Sequence, residues 1–237
     1  MSDLPILHAL GALRPRVSAT RLRTLLRLAG SVEGAWNADE ALLETAGFTP
    51  EARETLAVHR RTWNAQTETQ RLRENGITLV PDSSPNYPAP LRRIYDPPLV
   101  LYVRGELPPE STTIAIVGSR SASPYGRSVT HTLVRPLAAR GCTIVSGLAY
   151  GIDAEAHRAS LAVHGRTIAI LGSGVDDASL YPRAHRPLAA EIIARGGAVV
   201  SEFPPGTGAR PEHFPQRNRL IAGTSHAVVV IEASATS

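Results

Sequence analysis

The chain has 237 residues, 43% of them hydrophobic, with 25 basic and 21 acidic side chains, a formal net charge of +4 and a pI near 9.7. That is enough apolar content for one large domain or two modest ones, and it excludes a disordered or collagen-like chain. A basic excess this mild does not by itself point to nucleic acid. All 25 cations are arginine, so every positive group is a planar, permanently charged fork suited to phosphate or carboxylate. A single cysteine, Cys142, excludes an internal disulfide and any multi-cysteine metal site. The N-terminus lacks a basic leader and no apolar run is long enough to cross a bilayer, so a cytoplasmic protein that does not engage the membrane is expected.

Residues 1–75 read as short helices. Ser18 can cap a helix over 20–30 whose leucines at 22, 25, 26 and 28 form the buried stripe, with Gly30 as its stop. Asp39 can cap a second ending at Gly47, and Thr49-Pro50 opens what reads as one long polar helix to Asn75-Gly76. The rhythm is similar to SAM-like or helix-hairpin-helix modules, although AGFTP and AGSVEG are poor hairpin turns for DNA contact.

Residues 76–111 form a different segment. Two short apolar strands, ITLVP and LVLYVRG, bracket a stretch with five prolines between 85 and 98, which must lie extended or turn. It reads as an extension packed on the domain that follows. From 112 to 237 the runs TTIAIVG, CTIVSG, RTIAILG, GAVVSE and HAVVVIE alternate with helical stretches. Each run is almost continuously apolar, the pattern of parallel strands covered on both faces. The expected fold is therefore α/β: a doubly wound, mostly parallel Rossmann-like sheet preceded by a small all-α domain.

In such sheets ligands bind at the carboxyl ends of the strands. The loops expected there are GSRSASPYG (118–126), SGLAYGID (146–153), GSGVDDASLYP (172–182), SEFPPGTGARPEHFPQRN (201–218) and EASATS (232–237). Their glycines and hydroxyls let backbone amides approach an anion. Arg120, Arg127, Arg217 and Arg219 enter the same edge, which suits phosphates. The first loop lacks the G-x-G-x-x-G fingerprint and no lysine is available for a Walker loop, so no cofactor is expected. No metal site or nucleophile elbow is legible either. Asp153 and His157, one helical turn apart, read as a helix cap and a helix-face histidine. Glu202 and Glu232 read as partners for loop amides or for an arginine.

Taken together, YPAPLRRIYDPPLVLYVRG (87–105), IAIVGSRSASPYG (114–126), IVSGLAYGIDAEAH (144–157), GRTIAILGSGVD (165–176), SEFPPG (201–206), FPQRNRLIAG (214–223) and VVVIEA (228–233) resemble the DNA-processing protein A family (DprA, also called Smf). The resemblance covers roughly 85–237. It implies an extended Rossmann domain that is not an enzyme, binds and protects single-stranded DNA, loads RecA recombinase during natural transformation and forms a homodimer. Carried over by position, Ser119, Arg120, Arg217, Asn218 and Arg219 are the first DNA-binding candidates, then Phe214, Ser146 and Gly147, with Gly118, Tyr125 and Arg127 weaker. Phe214 is either a stacking platform for a base or an apolar anchor before its helix. Arg120 is either a DNA contact or the partner of Glu202 or Glu232. Two departures stand out: DASLYP carries a small insertion, and the chain stops at EASATS where the family continues, which implies truncation. A nucleotide-processing Rossmann enzyme of the phosphoribohydrolase type is the alternative reading, carried by PPGTGARPE.

Overall fold

The computed structural model describes residues 3–108 and 111–233; the last residues of the EASATS loop, 234–237, lie outside the described residues. The helical part comprises α1 (Leu4–Gly11), α2 (Ala19–Ala29), α3 (Val32–Trp36), α4 (Glu40–Thr45), α5 (Pro50–Thr62) and α6 (Ala65–Glu74). Its starts follow the local chemistry. The side chains of Ser18, Asp39 and Thr49 accept from the backbone N–H groups of Arg21, Leu42 and Ala52, and Gly30 closes α2 at φ 72°. The expected single helix from residue 50 to 75 is instead two. Asn64 leaves the helical region and caps α6 by accepting from Gln66 and Thr67, while Trp63 packs its ring edge-on against His8 at 4.9 Å. The break turns α6 toward the sheet, where Leu72 joins the sheet's own core.

Seven strands make one sheet: β1 (Ile77–Pro81), β2 (Val100–Gly105), β3 (Thr113–Val117), β4 (Thr143–Ser146), β5 (Thr167–Ile170), β6 (Ala198–Ser201) and β7 (Ala227–Val230). The order is β1-β2-β6-β5-β4-β3-β7, with β2 antiparallel to both neighbours and every pairing from β6 through β7 parallel. Between the prolines of 85–98 lies only a 3-10 turn at Pro90–Arg93.

The helices between strands, α7 (Pro124–Ala139), α8 (Ile152–Leu161), α9 (Arg186–Ala194) and α10 (His213–Gly223), cover the sheet on both faces. Period-two alternation decides which residue meets which layer. Val100 and Tyr102 face the α8 and α9 side, whereas Leu101 and Val103 face Leu91 of the proline-rich segment and Leu220 of α10. The helical core of Leu22, Leu25, Leu43 and Leu56 also takes in Leu99, from the residue just before β2, which ties the helices to the sheet. One strand departs from expectation. β7 has the apolar run of a covered strand, yet among the described residues it lies at the sheet's edge, with Val228 and Val230 exposed.

Candidate nucleic-acid interface

The parallel order brings the ends of β3, β4, β5 and β6 to one edge, where a cleft of about 490 Å³ opens. Arg120 contributes from the loop after β3, Ala178–Tyr181 and Arg183 from the connection after β5, and Gly208–Pro211 with Phe214 from the connection after β6. Two of these walls are joined by backbone. Gly174 N–H donates to the Thr207 carbonyl at 2.8 Å, and Gly206 N–H donates to Asp176 Oδ1 at 2.9 Å. Three arginines and two aromatic rings thus face the cleft, with no carboxylate among its described lining residues.

Arg120 and Phe214 form the centre of this arrangement. The Arg120 guanidinium lies over the Phe214 ring, 5.0 Å from its centroid, and Tyr181 meets the same ring at 5.9 Å. Among the described residues Arg120 has no ion pair, so neither Glu202 nor Glu232 takes it. Glu232 instead accepts from the Ser123 N–H and hydroxyl, and its carbonyl accepts from Ser119 N–H at 2.7 Å. Phe214 is half-buried in the first turn of α10, with its ring at the cleft and against Gly172.

Arg217 is placed differently from the expected basic edge. It is 4% exposed, and its guanidinium donates inward to the carbonyls of Gly147 (2.8 Å) and Ile170. The reason is helical register. α10 begins at His213, not at Arg217, because Pro215 fits its first turn; the buried stripe is then His213, Arg217, Leu220 and Ile221. Burial lowers the Arg217 pKa to about 10, partly opposed by Asp153, so the side chain remains charged at neutral pH. Burial likewise raises the Asp153 pKa, opposed by Arg217 and by the N–H groups of Ala149 and Gly147. Asp153 therefore does not cap α8 as expected; Gly151 stands at the cap and the carboxylate reaches back to the loop after β4.

The other candidates divide in the same way. Arg219 is paired with Glu202 at 2.6 Å and with Asp96 at 3.6 Å, and Arg14 from the helical part reaches the same Glu202 oxygen at 2.8 Å. Ser146 is fully buried and donates to the Ile116 carbonyl, and the space beside Gly147 is filled by Arg217. Ser119 Oγ accepts from Ser121 N–H, shaping the Arg120 loop, while Gly118 lies against Ile152. Asn218 is exposed one turn beyond Phe214 on the same helix face. Tyr125 and Arg127 are exposed on α7, and Arg127 donates to the Ala122 carbonyl.

The edge thus unites Arg120 with Phe214 and sets Arg217, Arg219, Ser146 and Gly147 behind it as supports. Sequence reasoning missed Tyr181, Arg183 and Arg210. The first two lie in or beside the DASLYP insertion, and their signal was an aromatic and an arginine at a strand's carboxyl end. His157, read as a helix-face group, hydrogen-bonds Thr167 Oγ1 at 2.7 Å in the interior.

A doubly wound sheet whose carboxyl edge offers arginines and aromatic rings, in place of a glycine fingerprint, defines a Rossmann-like protein with a basic, aromatic-lined cleft. Residues 78–237 match the family model for DNA recombination-mediator protein A, and the chain belongs to that family. It is 39% identical over 215 residues to Protein Smf of Escherichia coli (strain K12), covering 90% of this chain and 56% of that protein. It is 41% identical over 167 residues to DNA processing protein DprA of Bacillus subtilis (strain 168), covering 70% and 55%. The chain therefore spans about half the length of these relatives. Its fold is similar to DNA processing protein A from Streptococcus pneumoniae, with TM-score 0.78, 27% identity and coverage of 100% of this chain and 80% of that one. It is also similar to DNA processing protein A from Helicobacter pylori, with TM-score 0.60, 29% identity and coverage of 68% and 71%; that structure addresses the relative's single-stranded DNA binding mode.

Proposed function

We propose that this chain binds single-stranded DNA in the cleft between Arg120, Tyr181, Arg183, Arg210 and Phe214. The observation that carries the reading is the Arg120 guanidinium over the Phe214 ring, at a cleft edge with no carboxylate among its described lining residues. Arginine forks hold phosphates by charge-assisted hydrogen bonds, and an aromatic ring accepts any base face, so the combination gives sequence-tolerant, salt-dependent binding. Of the candidates, Arg120, Phe214 and Asn218 touch the strand. Ser119 and Gly118 shape the Arg120 loop, and Arg217, Arg219, Ser146 and Gly147 act as positioning residues behind it. Tyr125 and Arg127 stand farther along the same edge, where an extended strand would reach them.

The family relationship supports the wider role: protecting single-stranded DNA, loading a RecA recombinase during natural transformation, acting as a homodimer through the sheet domain and catalysing no reaction. Fluorescence anisotropy with labelled single- and double-stranded oligonucleotides tests the central claim. Arg120→Glu should lower single-strand affinity at least tenfold at moderate salt, with the denaturation midpoint unchanged. Equal affinity of this variant and the parent chain would overturn the cleft assignment.

A further inference from the structure

The loop after β4 carries an aromatic ring that the cleft does not use. Tyr150 is 46% exposed, between neighbours that make specific contacts. Leu148 is fully buried at φ 59°, a conformation rare for a residue with a branched side chain, and its carbonyl accepts from His185 Nδ1 at 2.8 Å. Gly147 N–H and Ala149 N–H donate to the Asp153 carboxylate. Gly151, at φ 72°, lies so close to the carbonyls of Ser119 and Arg120 that a Cβ there would run into both. The Tyr150 ring itself rests edge-on against His185, with centroids 4.9 Å apart.

These contacts locate Tyr150 between the Arg120 loop on one side and, on the other, the connection that carries Tyr181, Arg183 and His185. Positive-φ backbone such as that of Leu148 and Gly151 persists only where its surroundings enforce it, and here those surroundings also set where Tyr150 projects. A ring already immobilised loses little entropy when a ligand stacks on it. Charge points to the same ligand. Gly151, the next residue, lies against the Arg120 backbone, and the acids that open α8 are occupied: Asp153 by the loop N–H groups, Glu155 by His131 at 2.9 Å and Arg158 at 2.8 Å.

We infer that Tyr150 is a second stacking platform, which receives a base of the single strand after it leaves the Phe214 cleft toward β4. The inference rests on the reading of the cleft given above. It makes the DNA path run along the sheet edge, across the ends of β6, β5 and β4, with a phosphate held at Arg120 between the two platforms.

The test uses the full chain and two fluorescein-labelled thymidine probes, a dinucleotide that fills only the cleft and an oligomer long enough to cross the edge. Tyr150→Ala should weaken the oligomer about tenfold, leave the dinucleotide unchanged and leave the slope of log affinity against log salt unchanged, since no phosphate contact is lost. Tyr150→Phe, which keeps the ring, should bind like the parent. A Tyr150→Ala variant that matches the parent on the oligomer, or loses both probes equally, would overturn the platform while Phe214→Ala still reports on the cleft. If the parent chain binds neither probe, cleft and platform both fall.

Discussion

Arg120 lies over Phe214 while Arg217, three residues further along the same helix from Phe214, points into the protein. The two arginines that look equivalent in sequence therefore act in different places. A double-mutant cycle on Arg120→Ala and Phe214→Ala should show a coupling of about 0.5–2 kcal/mol in single-strand affinity, because the guanidinium and ring are in contact. Arg120→Lys should not restore the parent affinity, since an ammonium reproduces neither the planar stack nor the fork.

Arg183 and Arg210 should behave as phosphate contacts without base preference. Each alanine substitution is expected to lower affinity for thymidine and mixed-sequence oligomers alike. The slope of log affinity against log salt should become shallower by roughly 0.7 for each cation removed, measured by anisotropy titrations at several ionic strengths.

Arg217 should matter to folding before it matters to DNA. Arg217→Met removes the donor to the Gly147 and Ile170 carbonyls and leaves Asp153 buried without its cation. A loss of about 3–5 kcal/mol of unfolding free energy is expected in urea titrations. Gly147→Ala should fall in the same direction, because the added methyl would occupy the position of the guanidinium.

The sheet was legible because its strands are short, apolar runs broken by glycine, and the helix starts because Ser18, Asp39 and Thr49 cap them locally. What the sequence hid were choices made by tertiary packing. Nothing near Trp63 and Asn64 breaks a helical pattern; the break follows from Trp63 finding His8 some 55 positions earlier. In the site, the glycine-rich loops and Arg120 were readable from fold geometry. The burial of Arg217 was readable too, from its i, i+4 spacing to His213 and its i, i+3 and i, i+4 spacing to Leu220 and Ile221, once the helix is started at residue 213. Arg210 was not, because only the packed connection after β6 brings it to Arg120; Arg183 was marked only by its place beside Tyr181.

The buried histidines set a pH response. Burial lowers the His157 pKa to about 3 and the His8 pKa to about 4, against about 6.5 in the unfolded chain. Between those limits the unfolded state binds the extra protons, so each histidine subtracts stability as pH falls below about 6.5. The slope contributed by each approaches about 1.4 kcal/mol per pH unit. Urea midpoints taken from pH 7 to pH 5 should fall, and His157→Gln should be flatter over that window than the parent chain.

Glu202 is shared between the chain's two parts. It is 2% exposed, its carboxylate lies at the end of β6, and one of its two arginines, Arg14, comes from the turn after α1. Cutting the helices away, in a fragment that begins at β1, would leave this interior acid with only Arg219 and would open its Arg14 side to water. Arg14 thus belongs electrically to the sheet, and dissection into separate domains would change the ground beneath α10 and the Phe214 ring it carries.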